Sequence, residues 1–412
     1  MDSAGRQLEV YDSYYYLYGR QEGNNCELIA ENCRLRNGLF GVTSGVTLIN
    51  GSVLAMVNLA DVTSNTGNIY AGGTDASVGG KITLNIAGSA TYLGTICGGS
   101  FADSLNPTIS GGIDIDVSGI SQVNNSKITS ARTDLLIGGG IAINGKTLTV
   151  NGGITIDISD GASLGSVVGG GYALTSGTSA TVNGDIDLTI KDASTRSIYG
   201  AVYAVVSGAA VSVVGNVSIL IDATDAAVSI SGGITASGYG NCTVTGDKVV
   251  TFTGLGSNLT FSSSVYGGGI LRFDDYSGLF SGSAQMSKIA VSGDSEVEGA
   301  TLISCNSFEF DITDRPFGLC DDVMLKGGFS FYPFETTVRV NLSLAEFAYL
   351  DRVELLEGDP GSFSDLTVEL YNENNVLLAT LDYDSGDTWT TGNKTFSAQV
   401  VDGNFGITCQ RS

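Results

Sequence analysis

The chain predicts an all-β fold: a parallel β-helix (solenoid) with a C-terminal β cap. Three observations carry that expectation. A glycine-led cassette recurs about every 31 residues, its second half alternates apolar and polar residues, and helical periodicity is almost absent. The first half of the cassette is an apolar doublet running into glycines, as in Ile69-Tyr70-Ala71-Gly72-Gly73, Ile96-Cys97-Gly98-Gly99, Leu136-Ile137-Gly138-Gly139-Gly140 and Val167-Val168-Gly169-Gly170-Gly171. Ile198-Tyr199-Gly200, Ile230-Ser231-Gly232-Gly233 and Val265-Tyr266-Gly267-Gly268-Gly269 continue it. The leading glycines at 72, 98, 138, 169, 200, 232 and 267 are separated by 26, 40, 31, 31, 32 and 35 residues. Such a unit cannot bury its own apolar face and must stack on its neighbours.

The second half of the cassette supplies the core. In Gly184 to Ile190 the side chains of Ile186, Leu188 and Ile190 share one strand face, while Asp185, Asp187 and Thr189 share the other. Val217, Ile219 and Ile221 repeat the inward set 31 residues later. Rungs about 4.8 Å apart would pile these aliphatics into internal ladders. Glycines belong at corners where positive φ or close backbone approach is needed. Parallel pairing in a wound coil also explains short strands that succeed one another without crossover helices. Three strands per coil are expected. A propeller is second, because the units are short for four-stranded blades.

The elements follow in order. Residues 1–67 read as an N-terminal segment with irregular first rungs: a tyrosine-rich lead-in to residue 25, then Glu27-Leu28-Ile29-Ala30-Glu31 and Val46-Thr47-Leu48-Ile49-Asn50. Residues 68–310 form the repeat-built solenoid, with the glycine corner fading after about 270. Residues 311–412 form a C-terminal β-rich cap, where glycine thins, Pro316, Pro333 and Pro360 appear, and strands such as Thr337–Leu342, Leu366–Leu370, Leu377–Leu381 and Phe396–Val401 lengthen. A short helix is expected from Ser343 to Asp351, with Ser343 as N-cap and Glu346 three residues on.

The 412 residues include 58 glycines, 4 prolines and no histidine, and carry a net charge of −24. Scarce proline and abundant β-branched residues oppose disorder. With 19 basic residues and no basic cluster, neither nucleic acid nor an anionic membrane is an expected partner. No run reaches the roughly 18–20 apolar residues of a transmembrane helix. Seven cysteines without a CxxC or Cys/His pattern argue against a zinc site, and Cys26 with Cys33 is the one pair close enough in sequence to suggest a disulfide, the alternative being small buried hydrophobes. Met1 is followed by Asp-Ser-Ala-Gly-Arg rather than a basic and apolar leader; if the protein is exported, the chain is expected to be a fragment or to have lost its start.

The motifs Val-Tyr-Gly-Gly-Gly (265–269), Val-Val-Gly-Gly-Gly-Tyr-Ala (167–173) and Val-x-Gly-Asp-Ile-Asp-Leu-Thr-Ile (182–190) resemble the glycine-rich passenger repeats of bacterial autotransporter-type surface adhesins. The stretches 353–358 and 400–407 look like the β segment that closes such passengers. The resemblance covers about residues 68–412. It implies a cell-surface, adhesin-like passenger that is extracellular or displayed on a bacterial cell, with a glycan or protein receptor on a host cell or outside it. It supplies no catalytic residues.

The residues themselves offer two candidate sites. The first is an outward carboxylate ladder of Asp114, Asp116, Asp157 and Asp187. Paired carboxylates about 5–9 Å apart suit glycoside hydrolysis, and the same oxygens suit Ca²⁺, the one cofactor this chemistry admits. Alternating Asp and Thr on a wet strand face is also what solubility alone produces, and the Gly-Gly-x-Gly-x-Asp calcium repeat is absent. The second is Tyr172 with Tyr203, 31 residues apart, which would present an aromatic edge to sugar rings or simply fill space beside glycines. A phosphate loop fails for want of Gly-Lys-Ser/Thr, and a histidine-based triad is impossible. The longest interruption of the repeat, Ser118 to Leu135 with Asn124, Asn125, Ser126 and Lys127, is the expected recognition loop. Two functions follow: a structural, adhesive surface protein, or a carbohydrate-active β-helix enzyme (hydrolase or lyase) using the carboxylates.

Overall fold

The computed structural model describes residues 69–75, 77–87, 91–92, 95–119, 122–123, 135–201, 203–204, 206–299, 301–313, 323–327, 336–343, 352–357 and 366–411. Between residues 8 and 64 it describes only the backbone of short strands. Two compact units are present: residues 1–222 with 226–248, and residues 223–225 with 249–412.

The first unit is a parallel β-solenoid. In one coil the strands Thr147–Val150, Ile154–Ile158, Ser163–Leu164, Ser166–Val168 and Gly171–Ala173 follow one another. The chain then lands with Ser179–Val182 beside Thr147–Val150. Each strand pairs in parallel with its counterpart in the next coil. The coil thus has five short strands where three were expected. The extra turns come from positions that bend the chain sharply, among them Asp160 and Gly161, both at positive φ (54° and 85°). Such a pair turns the chain within two residues and leaves room for a two-residue strand at Ser163.

The inward ladders run as the alternation predicts. Ile82, Ile113, Ile154, Ile186 and Val217 are in register, as are Leu84, Ile115, Ile156, Leu188 and Ile219. All ten are buried. Each buried aliphatic contributes roughly 1.5–3 kcal/mol before chain entropy is subtracted. Nearer the N-terminus, Leu8–Tyr11, Cys26–Glu31 and Ala55–Ala60 pair in parallel with one another, and Ala55–Ala60 with Ile82–Ala87. Parallel rungs therefore begin inside the segment that reads as a lead-in.

The glycine corner is a place of backbone contact. A Cβ on Gly138 would strike the carbonyl oxygen of Gly169, and one on Gly169 would strike that of Gly200. Side-chain-free residues let the corners of successive coils close on one another, with Gly169 donating its N–H to Tyr199 O at 2.9 Å.

The second unit winds more tightly. Ile270–Leu279 is a bent strand: its first half pairs with Lys288–Ser292, and Ser277, Gly278 and Leu279 pair with Glu296–Glu298. Ser283–Gln285 pairs with Thr301–Ser304. The coil from Ile270 has two strands, the bent one spanning two sides, and the coil from Lys288 has three; the register Ile270↔Lys288 and Lys288↔Ser307 makes them 18 and 19 residues long. Their interior is aromatic. Phe273 lies 6.1, 5.5 and 5.1 Å from the ring centroids of Phe252, Tyr276 and Phe280. The parallel ladder ends at Leu366–Asn372, which pairs antiparallel with Leu377–Asp382. A separate antiparallel sheet joins Arg352–Glu357, Asn404–Arg411, Lys394–Val401 and Thr388–Thr391. This is the C-terminal β cap.

Among the described residues the only helix is the 3-10 turn Gly256–Asn258, and no helix is long and apolar enough to cross a membrane. Residues 344–351, where the short helix was expected, lie outside the described residues, as do Cys33 and with it the Cys26–Cys33 pair. Cys97, Cys242 and Cys305 carry free thiols, and Cys409 is buried.

Candidate functional site

The four carboxylates of the outward ladder lie on the sheet built by Ile113–Val117, Ile154–Ile158 and Ile186–Lys191. Register decides which of them meet. Asp116 pairs with Asp157, so these two occupy one column on adjacent rungs, about 4.8 Å apart along the stack. Asp114 pairs with Thr155, and Thr155 with Asp187, so a threonine separates those two carboxylates. Asp157 is opposite Thr189 rather than Asp187. Of the four, Asp116 and Asp157 are the pair in direct register on adjacent rungs.

The electrostatics follow that arrangement. Partial burial raises the Asp116 carboxyl above its ordinary value and the neighbouring Asp157 raises it further, while a hydrogen bond with Ser118 opposes them. Asp187 is raised by partial burial and then by Asp185 and Asp157. Asp114 makes an ion pair with Lys81 one rung away. Lys191 and Asp222 repeat that device at 3.3 Å. No group of three or more His, Cys, Asp or Glu side chains able to hold a metal ion occurs among the described residues.

Much of the remaining outward polarity joins coil to coil. Asn183 donates through Nδ2 to Asn151 Oδ1 at 2.9 Å. The Asn216 N–H donates to Asp185 Oδ1 at 2.7 Å, and the Asp247 N–H to Asn216 Oδ1 at 2.9 Å. Asp75 accepts from the backbone N–H groups of Asp103, Ser104 and Leu105 at 2.8–2.9 Å.

The tyrosines meet as their 31-residue spacing implies. Tyr172 is in register with Tyr203, and their rings stack at 5.1 Å with 4° between planes. Tyr239 stacks on Tyr203 from the other side at 4.9 Å, and Tyr199 meets Tyr203 edge-on. The rings therefore cover one another's faces. Tyr172 is 5% exposed while Tyr239 is 51% exposed. The column sits in a second apolar cluster outside the main ladders, where Tyr70, Cys97, Ile137, Val168, Ile141 and Tyr172 pack between the strands flanking the glycine corner. Burial pushes the Cys97 thiol up to about 12, so it fills space there as a neutral group.

One feature escaped the residue pattern. In the second unit, where no strand corresponding to Gly171–Ala173 follows the corner among the described residues, a pocket of about 360 Å³ is lined by Tyr266, Gly267, Gly268, Gln285, Met286, Ser287 and Asn306. Its signal was faint: Tyr266 repeats the corner tyrosine, but Gln285 and Asn306 belong to no periodic motif. Of the expected recognition loop, Ser118 to Leu135, residues 120–121 and 124–134 lie outside the described residues, and Gln122–Val123 is a short strand of the stack. Comparison with protein-family models, curated proteins and solved structures finds no match to this chain.

Proposed function

We propose that this chain is a structural, adhesin-like surface passenger. Its coils would form a rigid scaffold, and its outer surface would bind a glycan or protein receptor outside the cell or on a bacterial cell surface. One observation carries the reading: outward polar side chains are used to lock one coil to the next. The pairs Asn183–Asn151, Asn216–Asp185 and Lys191–Asp222 are bonds of a stack, and a stack that repeats its surface every rung suits attachment to an extended partner. The resemblance to autotransporter-type passengers supports the same reading. The test is binding of the purified chain to cells and immobilised glycans, with released reducing ends and unsaturated products measured in parallel. Binding without turnover is expected; turnover of a polysaccharide would overturn it.

A specific observation favours a second reading, a carbohydrate-active enzyme. Asp116 and Asp157 stand one rung apart, near the separation of a retaining glycosidase pair, and the Asp116 carboxyl is raised as a general acid's would be. The same pair would offer oxygens to Ca²⁺. Asp116→Asn and Asp157→Asn decide it: activity lost in both supports the enzyme, and activity unchanged in both removes the site.

A further inference from the structure

We infer that the pocket beside Gly267–Gly268 is a binding subsite for a neutral saccharide. This rests on the surface-binding reading and gives it a place and a ligand class. Three successive corners build the pocket. The Ser287 and Lys288 N–H groups both donate to Gly269 O at 3.0 Å, and the Asn306 N–H donates to Ser287 O at 3.0 Å, so the turns after the strands stack on one another. Gly267 and Gly268 have φ of 109° and 70°, a backbone that other residues resist, and they leave the pocket wall without side chains. Met286, buried, forms the apolar floor.

The groups around that floor match the chemistry of a sugar ring. Tyr266 is 37% exposed and supplies a ring against which the C–H face of a pyranose can lie. Tyr266 and Gln285 are in register on adjacent rungs, which places an amide about 4.8 Å along the stack from the tyrosine. Gln285, Ser287 and Asn306 are all exposed. Each amide offers an acceptor oxygen and two donor hydrogens, the combination that adjacent sugar hydroxyls satisfy. Neither amide makes a side-chain hydrogen bond to another described residue, so both can turn to a ligand. No lining residue is charged. In a chain of net charge −24 that selects a neutral sugar, since the lining holds no cation for a uronate or sialate and the neighbouring Lys288 is paired with Glu309.

The experiment is calorimetric titration of the full chain with cello-, manno- and malto-oligosaccharides and with oligogalacturonate, repeated with Tyr266→Ala and Gln285→Leu. At least one neutral series is expected to bind, oligogalacturonate is not, and each variant is expected to weaken binding by about tenfold or more. Gln285 is exposed, so Gln285→Leu keeps the test decisive should Tyr266→Ala unfold. Absence of neutral-sugar binding at millimolar concentration overturns the proposal, as does preference for oligogalacturonate or unchanged affinity in folded variants. The same proteins applied to cells separate the two levels. Cell binding that survives in Tyr266→Ala removes this pocket and leaves the surface-binding reading standing, whereas a wild-type chain that binds neither cells nor sugars removes both.

Discussion

The two units solve the same packing problem with different side chains. In the first, the coil from Thr147 is filled by Leu148, Val150, Ile154, Ile156, Ile158, Leu164 and Val167, drawn from its several short strands. In the second, the coil from Ile270 has two strands, one of them bent across two sides, and its interior is Leu271, Phe273, Tyr276, Phe280, Ala284 and Met286. A shorter coil turns fewer side chains inward, so each must be larger if the interior is to reach native packing density. The same difference governs the outer surface. The first unit follows its glycine corner with Gly171–Ala173 and its counterparts, whose Tyr172 and Tyr203 cover the corner. The corner at Gly267–Gly268 carries no such strand among the described residues, and a polar pocket opens there. A solenoid can thus trade coil length against side-chain volume, and dropping a strand exposes a surface.

The largest effect should come from the aromatic interior. Phe273→Ala is expected to cost about 4 kcal/mol and Leu188→Ala about 3 kcal/mol. Denaturant titration read by hydrogen exchange in each unit checks both; a Leu188→Ala loss exceeding that of Phe273→Ala would mean that aromatic packing is not what sustains the short coils.

Backbone proximity comes next. Gly169→Ala should cost about 2–3 kcal/mol, because the obstacle is the Gly200 carbonyl and cannot rotate away. Gly161→Ala meets nothing within 4 Å and should lose only about 1 kcal/mol to its positive φ. Equal losses in thermal melts would show that corners are not close-packed.

Acidic groups differ in sign, and the smallest effect of all belongs to Asp116. Burial works to raise the Asp75 carboxyl, but its three backbone N–H donors outweigh it and hold the group below its ordinary value of 3.8. Its contribution is therefore complete above that value and disappears as pH falls through the folded one. Asp75→Ala should cost about 1–3 kcal/mol at neutral pH and progressively less in acid. Asp116 is raised, so its charge opposes folding, and relief comes as pH falls through its folded value. Asp116→Asn should stabilise slightly at neutral pH and not in acid. Melting curves across this range test both signs.

The ladders were legible because burial enforces alternation: Ile186 and Val217 announce their pairing by type and spacing. Carboxylate register was legible in principle too. Once Ile154 is set opposite Ile186, Asp157 must face Thr189, and only Asp116 and Asp157 meet on adjacent rungs of one column. The five-strand coil was not legible, since two-residue strands such as Ser163–Leu164 are too short to show a period. Tyr172 and Tyr203 were legible as neighbours from their 31-residue spacing, whereas Tyr239, 36 residues beyond Tyr203, shows no such spacing. The pocket was invisible for a related reason, because Gln285 and Asn306 converge through coil length rather than motif.

In-register parallel stacking underlies the ladders, the glycine corners and the pocket, and cysteine cross-linking tests it most directly. Asp187 and Ser218 face each other on adjacent rungs, within reach of a disulfide. Asp187→Cys with Ser218→Cys should link rapidly under mild oxidation, mapped by mass spectrometry, while Asp187→Cys with Leu220→Cys, two residues out of register, should not. Preferential linking of the second pair, or of neither, would contradict the stack.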